Sequence, residues 1–176
     1  MYHIKNDKRC RKSAAAIVAA LEQLLDRKCF MDITVTDIQK TAGVGRSTFY
    51  RLFDNIDDVV TYSVDEQFKE IVKGYTDLSM RDFTAACISG MTESGGALMN
   101  ILSSGRADLI TRSLRKNLRE AAEGQGEISE DELQYSFAVF ASVCMAVVRV
   151  WDEGGRKETI DQLVDYVEKY IDLKAF

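Results

Sequence analysis

Arg46, Ser47, Thr48, Tyr50 and Arg51 lie almost side by side in this chain. Their side chains are of the kinds that bond the polar edges of a nucleic-acid duplex. Arginine reaches guanine O6 and N7, serine and threonine bond bases or phosphates, and a tyrosine hydroxyl donates to a phosphate. Each also has an ordinary reading: a solvated helix arginine, or a packed tyrosine with its hydroxyl in water. What decides between the two is whether the surrounding residues hold the set on one rigid ridge.

They have the spacing to do so. Thr34 with Asp37 three residues later reads as a capping box, which opens a short helix. That helix stops at Ala42-Gly43-Val44, where Gly43 is free to take the left-handed conformation that turns the chain. A second short helix over residues 46–53 follows at once. Two short helices about a tight glycine turn make a helix-turn-helix. Ile38, Ala42, Val44, Phe49 and Phe53 close its small core. Arg46, Ser47, Thr48, Tyr50 and Arg51 are left on or near the exposed side of the second helix, whose N-terminus offers free N–H groups to phosphate.

Charge points the same way. The chain carries a formal net charge of −5, but residues 1–53 hold 10 Lys and Arg against 5 Asp and Glu, while residues 54–176 hold 13 against 23. A basic head on an acidic body fits a polyanionic partner at the N-terminal end alone. Lys5, Lys8, Arg9, Arg11 and Lys12 crowd the start of a first helix predicted over residues 7–28, against its dipole; an external anion would offset that cost.

The rest of the 176-residue chain reads as helix. It has no proline, where average composition supplies roughly nine. Asn55 with Asp58 caps a long helix, and Ser79 with Asp82 caps another through about residue 91. Gly95-Gly96 and Gly105 separate further helical stretches, the last through about residue 122. Gly124-Gln125-Gly126 is a loop. Ser129 with Glu132 opens a helix to about residue 152, on which Leu133, Phe137, Phe140, Cys144, Val147 and Trp151 form a heptad-like seam. After Gly154-Gly155 a final helix places Ile160, Leu163, Val164, Val167 and Ile171 on one stripe.

Other chemistries find little support. His3 is the single histidine and falls in a terminus expected to fray, so a catalytic triad or a metal cluster would need unusual ligands. Cys10, Cys29, Cys87 and Cys144 lack paired spacing and read as small hydrophobes in a reducing compartment. Ser94-Gly95-Gly96 lacks the strand–turn–helix context of a nucleophile or phosphate loop and reads as an interhelical loop. No signal-like segment opens the chain, and the apolar run 137–148 is too short for a bilayer and is followed by Arg149. The expectation is a soluble cytoplasmic protein without cofactor, metal, catalytic residue or membrane partner.

The stretch Ile33-Thr34-Val35-Thr36-Asp37-Ile38, then Ala42-Gly43-Val44-Gly45-Arg46-Ser47-Thr48-Phe49-Tyr50-Arg51-Leu52-Phe53, resembles the N-terminal domain of the TetR family of transcriptional regulators. The likeness covers about residues 8–60. It implies an all-α fold of about nine helices, with a helix-turn-helix domain over residues 1–54 and an effector-binding and dimerisation domain over 55–176. It implies a homodimer on a palindromic double-stranded operator, most simply a repressor, controlled by a small-molecule effector. Carried over by position, Thr34, Thr36, Lys40, Gly45, Arg46, Ser47, Thr48, Tyr50 and Arg51 form the DNA-binding set. Tyr62, Phe68, Tyr75, Phe83, Met91, Met99 and Trp151 are candidate pocket residues, with ordinary core as their alternative. The last two helices, with the seam and stripe above, are the expected dimer interface.

Two departures stand out. Relatives often carry lysines at the start of the fourth helix, where this chain has Asp54, Asp57 and Asp58. The serine that commonly caps the reading helix is Gly45, a weaker cap. These leave a second reading open: an interaction module that keeps the scaffold but has lost DNA binding.

Overall fold

The structure, a computed structural model, describes residues 1–4, 7–73, 79–93, 95–122 and 130–171. Among these the all-α class holds. The elements are α1 (Lys8–Leu25), a single 3-10 turn (Phe30–Asp32), α2 (Val35–Ala42), α3 (Arg46–Leu52), α4 (Ile56–Lys73), α5 (Met80–Glu93), α6 (Gly95–Ser103), α7 (Ala107–Ala122), α8 (Glu130–Glu153) and α9 (Ile160–Tyr170). The chain divides into two compact units. Unit 1 is Met1–Val64 with Gly96–Ile110, and unit 2 is Asp65–Gly95 with Thr111–Phe176.

In unit 1, α1 packs on α2 and α3. Ala14, Ile17, Leu21 and Leu25 of α1 are buried, as are Ile38 of α2 and Phe49 and Leu52 of α3. The turn between α2 and α3 works as the sequence predicts. Gly43 sits at φ +64° and its N–H returns to the Gln39 carbonyl, closing α2. Aromatic rings then join the helices. Phe49 lies 5.9 Å from Phe53, Phe53 lies 5.7 Å from Tyr62 of α4, and Tyr62 lies 5.2 Å from Tyr2. Burying a phenylalanine fully stabilises by about 2–3 kcal/mol, so Phe49 and Phe53, both without exposure, anchor α3 from behind.

The N-terminal arm is more ordered than expected of a frayed end. Tyr2 pairs with Phe53 in an isolated antiparallel bridge, and the His3 N–H donates to the Leu52 carbonyl at 2.8 Å. The buried rings of Phe53 and Tyr62 give Tyr2 an apolar seat that a frayed end would lack.

In unit 2, α5, α8 and α9 pack on one another. Phe83 stacks on Phe140 at 6.0 Å, and Cys87, Ile88, Ala141, Cys144, Val148, Leu163, Val164 and Val167 fill the same core. Arg81 forks between Glu168 and Asp165, the latter at 2.8 Å. Asp65 of α4 is fully buried and accepts hydrogen bonds from three residues of α7: Ser113, Asn117 at 2.8 Å and Lys116 at 3.1 Å.

Several local expectations shift. Gly95 and Gly96 are not loop: α6 begins at Gly95. Arg149 follows the apolar run within α8, which continues to Glu153, close to the expected end. Gln134–Glu153 has the length and hydropathy to cross a bilayer, while Phe140, Ala141, Cys144, Met145 and Val148 of that stretch are buried within the protein. Thr159 with Gln162 forms a capping box that opens α9, a local signal three residues apart in the sequence. The expected loop at 124–126 and the Ser129 cap lie outside the described residues.

Candidate nucleic-acid interface

The site begins with how α2 and α3 are held. Thr34 accepts from the Asp37 N–H at 3.1 Å, while the Asp37 carboxylate accepts from the Thr34 N–H at 3.0 Å and from its hydroxyl at 2.8 Å. These bonds, with Lys28 3.2 Å away, hold the Asp37 carboxyl down at about 2. Thr34 is thereby committed to the cap, and Thr36 and Lys40 remain exposed on α2. Gly45 starts α3 without a side-chain cap bond, as the sequence predicts.

On α3 the buried residues are Phe49 and Leu52. Arg46, Ser47, Tyr50 and Arg51 are exposed and Thr48 is half-buried, so helical geometry puts the polar set opposite the core. Tyr50 keeps 43% of its surface exposed. It stands edge-on to Phe49 at 5.4 Å, and the Arg46 guanidinium lies over its ring at 5.5 Å. Among the described residues no carboxylate forms an ion pair with Arg46, which leaves its fork of donors for an external acceptor.

The basic start of α1 is exposed at Lys8, Arg9, Arg11 and Lys12, and the first turn holds no acid. Asp7 offsets part of the dipole cost by capping, its Oδ1 accepting from the Arg9 N–H at 2.8 Å.

The carboxylates at the start of α4 turn back into the chain. Asp58 accepts from the Asp54 N–H at 2.9 Å, and its own N–H donates to Asn55 at 2.9 Å, the expected cap. Asp57 pairs with Arg106 at 3.1 Å. The Met1 amine bridges Asp54 and Asp58, and His3 Nε2 lies 3.0 Å from Asp54. The amine first, then the imidazole, holds the Asp54 carboxyl below its usual range. Arg106 was invisible as a partner because nothing local in the sequence marks a contact so far along the chain.

The other candidate residues scatter. Tyr62 and Met99 belong to unit 1, whereas Phe68, Phe83, Met91 and Trp151 belong to unit 2. Tyr62 packs in the aromatic row of unit 1 and Phe83 against Phe140. Trp151 fastens the α8–α9 turn, its indole N–H donating to the Glu158 carbonyl at 3.0 Å. Tyr75 and the Leu133 side chain lie outside the described residues. Of the expected dimer seam and stripe, Phe140, Cys144, Leu163, Val164, Val167 and Ile171 are buried by the chain's own packing, and Phe137, Val147, Trp151 and Ile160 are half-buried. The large apolar residues that α8 and α9 expose are others: Tyr135, Val139, Val150, Tyr166 and Tyr170.

The architecture is thus that of a helical protein built on a helix-turn-helix whose second helix presents an arginine with no ion-pair partner among the described residues. Its fold is that of TetR transcriptional regulators. A TetR transcriptional regulator from Streptococcus agalactiae 2603V superposes with a TM-score of 0.63 at 21% identity, over 92% of this chain and 94% of that one. In sequence, 61 residues are 38% identical to the HTH-type transcriptional regulator EthR of Mycolicibacterium smegmatis. A 61-residue match is 30% identical to DhaS, the HTH-type dhaKLM operon transcriptional activator of Lactococcus lactis. Each match takes in 35% of this chain but only 28% and 33% of those relatives. No protein-family model matches the chain.

Proposed function

We propose that the chain is a ligand-responsive transcriptional repressor that binds a palindromic operator in double-stranded DNA as a homodimer. The observation that carries this is the polar ridge of α3, with Arg46 in no ion pair among the described residues and lying over Tyr50, beside a fully buried Phe49. Arg46 reads a base edge, Ser47 and Thr48 bond bases or phosphates, and Tyr50, Arg51, Thr36, Lys40 and the N–H groups after Gly45 meet the backbone. The 61-residue likeness to two regulators and the fold of the whole chain support the assignment.

Reading is assigned to residues 1–54, and effector binding and dimerisation to 55–176. A second copy covers the outward face of α8 and α9, where Tyr135 and Val150 are 70% and 68% exposed and Tyr170 is 70% exposed. Two such hairpins make a four-helix bundle. A small molecule binds in the effector domain and acts through its differential affinity for two states. The protein works in the cytoplasm, where its operator lies.

Selection of bound DNA from a random pool tests the reading. The expected product is a palindrome whose half-sites lie about one turn, roughly 34–36 Å, apart, bound with an affinity that falls steeply with salt. Failure to enrich any sequence would favour the second reading, an interaction module. That reading draws on Asp54, Asp57 and Asp58, carboxylates where a phosphate would need cations. A reporter driven by the selected operator separates repression from the activation that the name of DhaS records.

A further inference from the structure

By its place in the chain α6 belongs to the body, between α5 and α7. Yet from Gly96 it lies in unit 1, with the helix-turn-helix. One side chain ties it there. Asn100, half-buried on α6, donates both amide hydrogens to α1 and the turn that follows it: to the Leu25 carbonyl at 2.8 Å and the Lys28 carbonyl at 2.7 Å. Its Oδ1 accepts from the Phe30 N–H at 2.8 Å. A helix leaves its last carbonyls without partners, and the last turn of α1 holds no basic residue to supply them. Two donors and one acceptor on a single planar group is what a side-chain amide offers. Six residues on, Arg106 adds its ion pair to Asp57 at the start of α4. Leu98, Ile101 and Leu102 of α6, in the same unit, are buried.

We propose that Asn100 is a positioning residue for DNA recognition. It fixes α6 to the end of α1, on which α2 and α3 pack, so that the helix-turn-helix takes its setting from α6 as well as from α4. Sequence order alone would leave α4 as the one covalent route from body to head; the chain instead enters and leaves unit 1 again at 95/96 and 110/111. The proposal rests on the DNA-binding reading above.

The test uses the full chain, with Asn100→Ala and Asn100→Asp. The aspartate keeps the size and the acceptor for Phe30 but sets an oxygen against the Leu25 and Lys28 carbonyls. Amide hydrogen exchange over residues 25–33 is expected to quicken about tenfold in both variants while α5, α8 and α9 stay protected. On the selected operator, wild type is expected to discriminate against half-site spacings altered by one base pair. The variants are expected to lose about tenfold of that discrimination while holding an isolated half-site as wild type does. A merely structural contact would lower the melting temperature and leave the spacing preference intact; that result overturns the proposal. So does a Phe30 amide that exchanges in wild type as fast as an open loop, a measurement that needs no variant to fold. If wild type itself retains no DNA, the DNA-binding reading fails and takes the proposal with it; if only the variants' spacing preference is unmoved, the proposal fails alone.

Discussion

The guanidinium of Arg46 lies 5.5 Å above the ring of Tyr50, one helical turn along α3. The contact joins the two α3 residues for which base reading and backbone contact are proposed, and Tyr50 in turn stands edge-on to buried Phe49. A cation over an aromatic face gains about 0.5–1 kcal/mol when exposed, enough to narrow the rotamers of a long side chain. Arg46→Ala is expected to cost about 1–3 kcal/mol at its contacted base pair and to relax preference there. Tyr50→Ala is expected to weaken all sequences alike. Binding-site selection on each variant checks both, and an unchanged Arg46→Ala logo would remove Arg46 from the reading set.

Gly43 and Gly45 flank the turn but differ in kind. Gly43 has a positive φ of +64° with open space around it, so Gly43→Ala is expected to destabilise unit 1 by about 1–2 kcal/mol through backbone strain alone. Gly45 has φ −74° and room for a Cβ. Gly45→Ser is expected to add a few tenths of a kcal/mol, roughly 0.3, by capping α3. Urea denaturation of the two variants should move in opposite directions.

Asp37 gives the helix-turn-helix an acid limit. Its carboxyl is held at about 2 by the Thr34 N–H, the Thr34 hydroxyl and Lys28, below an ordinary value of 3.8. A depressed carboxyl stabilises above its unfolded pKa, and that contribution is lost as pH falls through the folded one. The stability gap between wild type and Asp37→Asn is therefore expected to be full above about pH 4 and to close toward about pH 2. Urea midpoints at three pH values measure it, and a constant gap would mean that the cap does not depend on the charge.

The thiols should divide by burial. Cys29 is exposed, whereas Cys10, Cys87 and Cys144 are buried. Burial pushes the Cys144 thiol up to about 12 and raises Cys87 well above its usual range, so neither supplies thiolate at neutral pH. A chromogenic disulfide reagent is expected to titrate Cys29 quickly in the native protein and all four cysteines once it is denatured. Rapid native labelling of Cys144 would contradict its packing between α5, α8 and α9.

Asp65 is a fully buried acidic side chain of unit 2. Asp65→Ala would remove the acceptor that buried Ser113 and Asn117 share, leaving Asn117 its bond to the Ser113 carbonyl, and is expected to cost about 2–4 kcal/mol. Lys116 is half-exposed and regains water, which limits the loss. A denaturant shift confined to the fluorescence of Trp151 or the tyrosines of unit 2 would locate the effect.

The helix-turn-helix was legible because its determinants are local. A capping box spans four residues, a left-handed glycine ends one helix, and Phe49, Leu52 and Phe53 alternate with Arg46, Tyr50 and Arg51 at helical spacing. The helix order beyond it was legible from the same signals at Asn55–Asp58, Ser79–Asp82 and Gly105. The tertiary structure decided what depends on residues distant in sequence. The heptad seam of α8 reads the same whether it meets a second copy or its own α5 and α9; packing turned Phe140 and Cys144 inward and left Val139 and Val150 outside. Periodicity says only that a stripe is apolar, not which apolar surface will cover it. Likewise Asp57 and Arg106, or Asn100 and Leu25, carry no mark of each other in the sequence. Such contacts exist because the folded chain brings together groups whose hydrogen bonds and charges must be satisfied somewhere, and only the fold chooses where.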